Sequence, residues 1–175
     1  MSTPAFQIHR LQQIDADQRH ALADLLIDCV EGGASVSFMH PLAPERAHAF
    51  WHGVAEGVVR GERALLVAED ALGIAGTVQL VLDQPENQPH RADLAKMLVH
   101  RRARRLGMGE ALMRAAEALA RDCGKTLLVL DTVDGSDAER LYRRLGWQSC
   151  GVIPGYALWP QGGLCATHVF YRALP

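Results

Sequence analysis

Residues 95–112 read AKMLVHRRARRLGMGEAL, and the order of residue types in that stretch decides the fold. Met97-Leu98-Val99 is an apolar, strand-like run. Arg101, Arg102, Arg104 and Arg105 crowd together after it, followed by Gly107 and Gly109 one residue apart. Met108, Leu112, Ala115, Ala116 and Leu119 then recur at helical spacing. The order is strand, basic glycine turn, helix. The first N–H groups of a helix have no partner inside it, and its dipole puts partial positive charge there. Glycine lets a ligand approach the backbone closely, and arginine adds charge-assisted donors. Such a stretch is a cradle for phosphate.

The type of phosphate narrows by elimination. A Walker loop needs G-x-x-x-x-G-K-[ST], and Lys125-Thr126 lacks the upstream glycine. A dinucleotide fingerprint needs a third Gly or Ala where this chain has Leu112, and it opens its domain, whereas these glycines lie past mid-chain. What remains is R-x-x-G-x-G, from Arg104 to Gly109. It resembles the acyl-coenzyme A pyrophosphate loop of the GNAT superfamily of N-acetyltransferases. Read alone, the loop fits a nucleotide cradle or a glycine-tightened turn with a solvated basic face.

The 175 residues suit a single domain, 1–175, with a sizeable core. The formal net charge of -2 excludes the broad basic face of a duplex-binding protein. No apolar run reaches membrane-spanning length, and MSTPAFQIHR lacks the regions of a signal peptide. Cys29, Cys123, Cys150 and Cys165 form no C-x-x-C pair. The expectation is a cytoplasmic protein with reduced, mostly buried thiols, no membrane and no nucleic-acid partner. His48 and His52 are four residues apart without the glutamate of H-E-x-x-H, so they read as a polar helix face, and no metal is expected.

Along the chain, Phe6–Leu11 alternates as a strand, and Asp15 caps a helix running to about Cys29. Gly32–Met39 (GGASVSFM) is a loop that is glycine-loosened yet apolar. It is either a binding wall or a core plug. Pro44 opens a second helix, with Phe50, Trp51, Val54 and Val58 as its stripe. Ala64–Ala68 and Ile74–Leu82 form a hairpin, and Arg91–His100 is the strand feeding the cradle. The helix from Gly107 ends near Cys123. Leu127–Leu130 reads as a central strand buried on both faces. Ser136 caps a short helix, Asp137–Leu145. Trp147–Ile153 and Thr167–Tyr171 close the chain as strands around a Pro/Gly loop. The expected class is α/β (α+β), a mixed central sheet of about seven strands flanked by four helices.

A second motif lies downstream. Ala138-Glu139-Arg140-Leu141-Tyr142-Arg143-Arg144-Leu145-Gly146-Trp147 matches the A-x-x-[FL]-Y-x-x-x-G-[FWY] of GNAT enzymes. Both motifs stand in family order, so the chain is identified as a GNAT member. Within the superfamily it is most similar to the tabtoxin-resistance acetyltransferases, through GGASVSFM, RADLAKMLV (Arg91–Val99), LDT (Leu130–Thr132) and PGYALWPQGGL (Pro154–Leu164).

The resemblance implies transfer of acetyl from acetyl-CoA to an amine of a small amino-acid-like, toxin or antibiotic molecule, by a monomer or homodimer. Backbone at Arg105, Leu106, Gly107, Met108, Gly109 and Glu110 would hold the pyrophosphate. Arg104 would brace the loop, and Arg102 or Arg105 would reach the phosphates. Backbone at Met97, Leu98 and Val99 would pair with pantetheine. Gly135 replaces an asparagine of many members, and Ser136 is the substitute contact. Tyr142 is the expected general acid, with Asp93 and Asp131 as alternative bases facing the substrate. Ser35, Phe38 and Met39 join them as substrate wall. Two other functions stay open: an acetyltransferase for protein N-termini or lysines, and a non-catalytic acyl-CoA sensor.

Overall fold

The computed structural model describes residues 6–175; Met1–Ala5, part of the stretch read as no leader, lies outside the described residues. The strands are β1 (Gln7–Leu11), β2 (Arg63–Asp70), β3 (Gly73–Val81), β4 (Arg91–Val99), β5 (Leu127–Val133), β6 (Gln148–Leu158) and β7 (Leu164–Ala173). They form one mixed sheet in the order β1-β2-β3-β4-β5-β7-β6. The helices among the described residues are α1 (Ala16–Glu31), α2 (Pro44–Val59), α3 (Met108–Asp122) and α4 (Asp137–Arg144), with a 3₁₀ turn at Arg101–Ala103. No helix of the described residues is long and apolar enough to cross a membrane.

Local chemistry sets the helix ends. Asp15 and Gln18 form a capping box on α1, with Gln18 N–H donating to Asp15 Oδ1 at 2.8 Å. Ala43 offers α2 no side-chain cap, and Pro44, whose ring presets the helical φ, takes its first position. The Ser136 hydroxyl accepts from Glu139 N–H at 3.1 Å and starts α4.

The sheet buries two apolar clusters. Leu66, Leu80, Leu94, Leu128 and Phe170 meet α3 and α4 on one face. Leu65, Val67 and Leu98 meet α1 and α2 on the other. Strict alternation along β4 would put Leu98 with Leu94. A bulge prevents it: Gln79 pairs with Ala95 but Thr77 with Leu98, and Lys96 in between has φ 51°. One extra residue exchanges the faces of everything after it.

The hairpin that closes the chain extends beyond the expected strands. Pro154–Leu158 and Leu164–Ala166, read above as loop, are strand. Irregular pairing at Ser149/Gly151 and Ile153/Ala157 absorbs Pro154 and the glycines. Of the thiols, Cys29 and Cys165 are buried, but Cys123 is half-buried and Cys150 exposed, so burial is not the rule among them.

Candidate active site

The parallel pair β4–β5 is short. It spans Arg91–Asp93 against Leu127–Val129, and beyond it the two strands have no mutual pairing. From Leu94 to Val99, β4 keeps an unpaired edge on that side. Met97, Leu98 and Val99 lie along this open edge, whose N–H and C=O groups suit an extended ligand added as a strand.

The basic turn sits at the end of the cleft. Arg105 (φ 63°) and Gly107 (φ 81°) are both left-handed and surround Leu106, which is 60% exposed. Successive turns of this kind aim backbone N–H groups at one point. A Cβ on Gly107 would meet nothing within 4 Å, so its need for glycine is conformational. A Cβ on Gly109 would lie 3.2 Å from Leu141 Cδ2, so that glycine lets α3 approach α4. Met108 is buried and offers the cradle only its backbone, while Glu110 pairs with Arg114 along α3.

The four arginines do different work. Arg101 binds Asp28 and Glu31 of α1. Arg102 pairs with Asp70 at the β2–β3 turn, which removes it from the expected reach toward phosphates. Arg104 Nε donates to Val99 O at 3.3 Å, which ties the turn to β4. Arg105 makes no ion pair with any described residue, and it is exposed. Open strand edge, left-handed turn, helix start and free guanidinium together fit the extended, phosphate-ended shape of acetyl-CoA.

Below the cleft, on the α1–α2 face, is a cavity of about 290 Å³. Ser35, Phe38, Met39, Asp131, Thr132, Thr167, Tyr156 and Leu158 are among its walls. The GGASVSFM loop is therefore a wall as well as a plug, since Val36 and Phe38 also pack on the core. It is tied to the closing hairpin: Ser35 Oγ donates to Leu158 O at 2.9 Å and His40 N–H to Pro160 O at 2.9 Å.

Of the two expected carboxylates, only Asp131 faces this cavity. Its Oδ2 accepts from Thr167 Oγ1 at 3.1 Å. Asp93 shares the sheet face but is held by Arg91 and by Gln84 Nε2 at 3.2 Å, and it is absent from the cavity wall. Ser136 is committed to its helix cap.

Tyr142 is buried between Trp147 and Phe170, ring centroids 6.1 and 6.2 Å away. Burial, and then the charge of Asp131, push its phenol above the usual tyrosine range. It is therefore protonated throughout the physiological range. Its helix is pinned by the buried Glu139, which accepts from Gly135 N–H at 2.5 Å and Arg143 Nε at 2.7 Å. Sequence reasoning missed Lys96, Ser37 and Thr167. The signal for Lys96 was its charge within an otherwise apolar run.

A model of the acetyltransferase (GNAT) family matches residues 19–147, which include both motifs and the cleft. The chain belongs to the GNAT family. It is an acetyltransferase that uses acetyl-CoA. Solved GNAT-fold structures superpose over almost the whole chain. The structure of yncA from Salmonella typhimurium, with its cofactor acetyl-CoA, has a TM-score of 0.79 at 18% identity, covering 98% of this chain and 95% of that one. The ribosomal-protein-alanine N-acetyltransferase of Brucella melitensis gives 0.80 at 22%, covering 96% and 99%. A GCN5-related N-acetyltransferase of Kribbella flavida gives 0.78 at 24%, covering 97% and 98%. At these identities the likeness is one of fold.

Proposed function

We propose that this GNAT protein acetylates an amine of a small amino-acid-like molecule, toxins and antibiotics included, by direct transfer. The observation that carries this is the cavity under the β4–β5 cleft, with Asp131 in its wall.

Acetyl-CoA, when bound, supplies the activated acyl group. Backbone of Arg105–Glu110 with the Arg105 side chain would hold its pyrophosphate, and Met97–Val99 its pantetheine arm. Asp131 receives the acceptor as ammonium, orients it and takes its proton, directly or through water. The freed amine nitrogen forms the new C–N bond as the C–S bond breaks. Tyr142 Oη would give its proton to the departing sulfur, which leaves as thiol, and the second proton shed by the new amide nitrogen would restore the phenol. A backbone N–H on the open edge of β4 steadies the carbonyl oxygen.

A protein N-terminus or lysine is disfavoured as acceptor, because the loop and the hairpin are bonded together across the cavity. A mute sensor would have no use for a carboxylate in the cavity wall. We place the reaction in the cytoplasm, where acetyl-CoA is supplied, and treat 1–175 as one catalytic domain. The test is a thiol-release screen over amino acids, dipeptide toxins, polyamines and aminoglycosides. Turnover of a small amine is expected; turnover of peptides alone would overturn the reading.

A further inference from the structure

The bulge in β4 has a chemical product. Without it, Lys96 would follow Ala92 and Leu94 into the apolar cluster beneath α3. With it, the side chain turns to the α1–α2 face. Its Nζ donates to Ser37 Oγ at 3.2 Å and lies 5.6 Å from the centroid of the Phe50 ring. Ser37 belongs to the cavity wall. Lys96 is thus half-buried behind the cavity wall, which it meets through Ser37, in a backbone conformation that few side chains adopt.

Its surroundings are short of acceptors. Among the described residues no carboxylate is within ion-pair distance of the Lys96 ammonium. Asp131 and Arg63 both act on it electrostatically from farther away. Gln79 pairs across the ladder with Ala95, the residue before Lys96. It is 1% exposed, its Oε1 is taken by Arg63 at 2.6 Å, and its Nε2 donor has no partner. Trp51, beside Phe50, buries an equally unpartnered Nε1. Buried donors without acceptors are rare in folded proteins. Here two of them lie on the sheet face that also carries Lys96, whose ammonium donates to the cavity-wall residue Ser37. Asp131 stands in the same cavity with the opposite charge.

We propose that Lys96 anchors a carboxylate carried by the acceptor itself, while Asp131 takes the amine. The acceptor is then dipolar: an amino acid, not a simple amine, a polyamine or an aminoglycoside. This rests on the acetyltransferase reading and narrows it. Burial holds the Lys96 ammonium below the usual lysine pKa, and a bound carboxylate would restore it.

The test compares α-amino acids with their α-carboxamides and their decarboxylated amines in the thiol-release assay. The wild type is expected to prefer the acids. K96M is expected to raise KM for the acids about 10–100-fold, the worth of one charge-assisted hydrogen bond, so the acid-to-amide ratio of kcat/KM collapses toward one. K96R should keep the preference. Asparagine tolerates left-handed backbone, so K96N replaces K96M if the latter does not fold. Acetyl-CoA affinity, measured by calorimetry on each variant, separates the two readings. Amides or amines used as well as acids by the wild type, or an unmoved KM in both K96M and K96N, would overturn the subsite. So would turnover of no acid by a protein that binds acetyl-CoA and acetylates other amines. Loss of acetyl-CoA binding in the wild type would instead overturn the acetyltransferase reading beneath it, and the subsite with it.

Discussion

Asp28, near the end of α1, and Arg101, just past β4, are joined twice. The Arg101 backbone N–H donates to Asp28 Oδ2 at 2.9 Å and its Nε to Oδ1 at 2.8 Å. The pair fixes the start of the phosphate turn to the helix on the opposite face of the sheet. Burial alone would raise the Asp28 pKa, but the Arg101 bonds and the nearby His100 outweigh it and hold the carboxyl below the usual aspartate range. A depressed carboxylate contributes stability above its unfolded pKa and loses it as pH falls through the folded value. Asp28→Asn is expected to cost about 1–2 kcal/mol at neutral pH, reduced because Arg101 is half exposed. Denaturant melts of both proteins should converge as the pH is lowered through the depressed folded value of Asp28.

Arg102 and Arg105 are neighbours in the turn with separable effects. Arg105→Ala removes the unpaired guanidinium, and calorimetry should show acetyl-CoA bound roughly tenfold more weakly, with less sensitivity to added salt. Arg102→Ala frees Asp70 instead and should lower stability by up to about 1 kcal/mol. Equal losses of affinity in both variants would contradict this division.

Gly107→Ala and Gly109→Ala should differ in kind. The first meets no clash but forces alanine into left-handed backbone at about 1–2 kcal/mol, so the turn reshapes and acetyl-CoA affinity drops. The second pushes a methyl toward Leu141. Overpacking at about 1–3 kcal/mol is offset by about 1 kcal/mol of helix propensity, leaving a net loss of roughly 0–2 kcal/mol seen in Tm.

Tyr142→Phe keeps the ring between Trp147 and Phe170 and removes only the proton donor. Acetyl-CoA affinity should be retained while kcat falls about 10²-fold. Because the folded phenol titrates above its unfolded value, its contribution to stability is complete below about pH 10 and is lost only at more alkaline pH. No loss of rate from Tyr142 ionisation is expected near neutrality.

Asp131→Asn should lower kcat and alter the pH–rate profile, since the carboxylate that meets the amine is gone. Asp93→Asn should leave that profile in place and appear in the melting curve, through the stranded Arg91. The opposite pattern would return the base to Asp93.

The sequence by itself determined the fold. Periodicity, caps and two spaced motifs are local, and local chemistry dictates them: Asp15, Pro44 and Ser136 start their helices through bonds or ring geometry within a few residues. The basic glycine turn was legible for the same reason, as Arg104 to Gly109 are contiguous. Tertiary structure alone decided which groups face the cavity. Arg102 is spent on Asp70, which lies 32 positions away along the chain. Asp93 and Asp131 look equivalent as strand carboxylates until Arg91 claims one of them. Lys96 turns to the α1–α2 face only because one residue bulges out of β4. A side chain's face depends on strand register, and register is set by the partner strand, which no local pattern encodes.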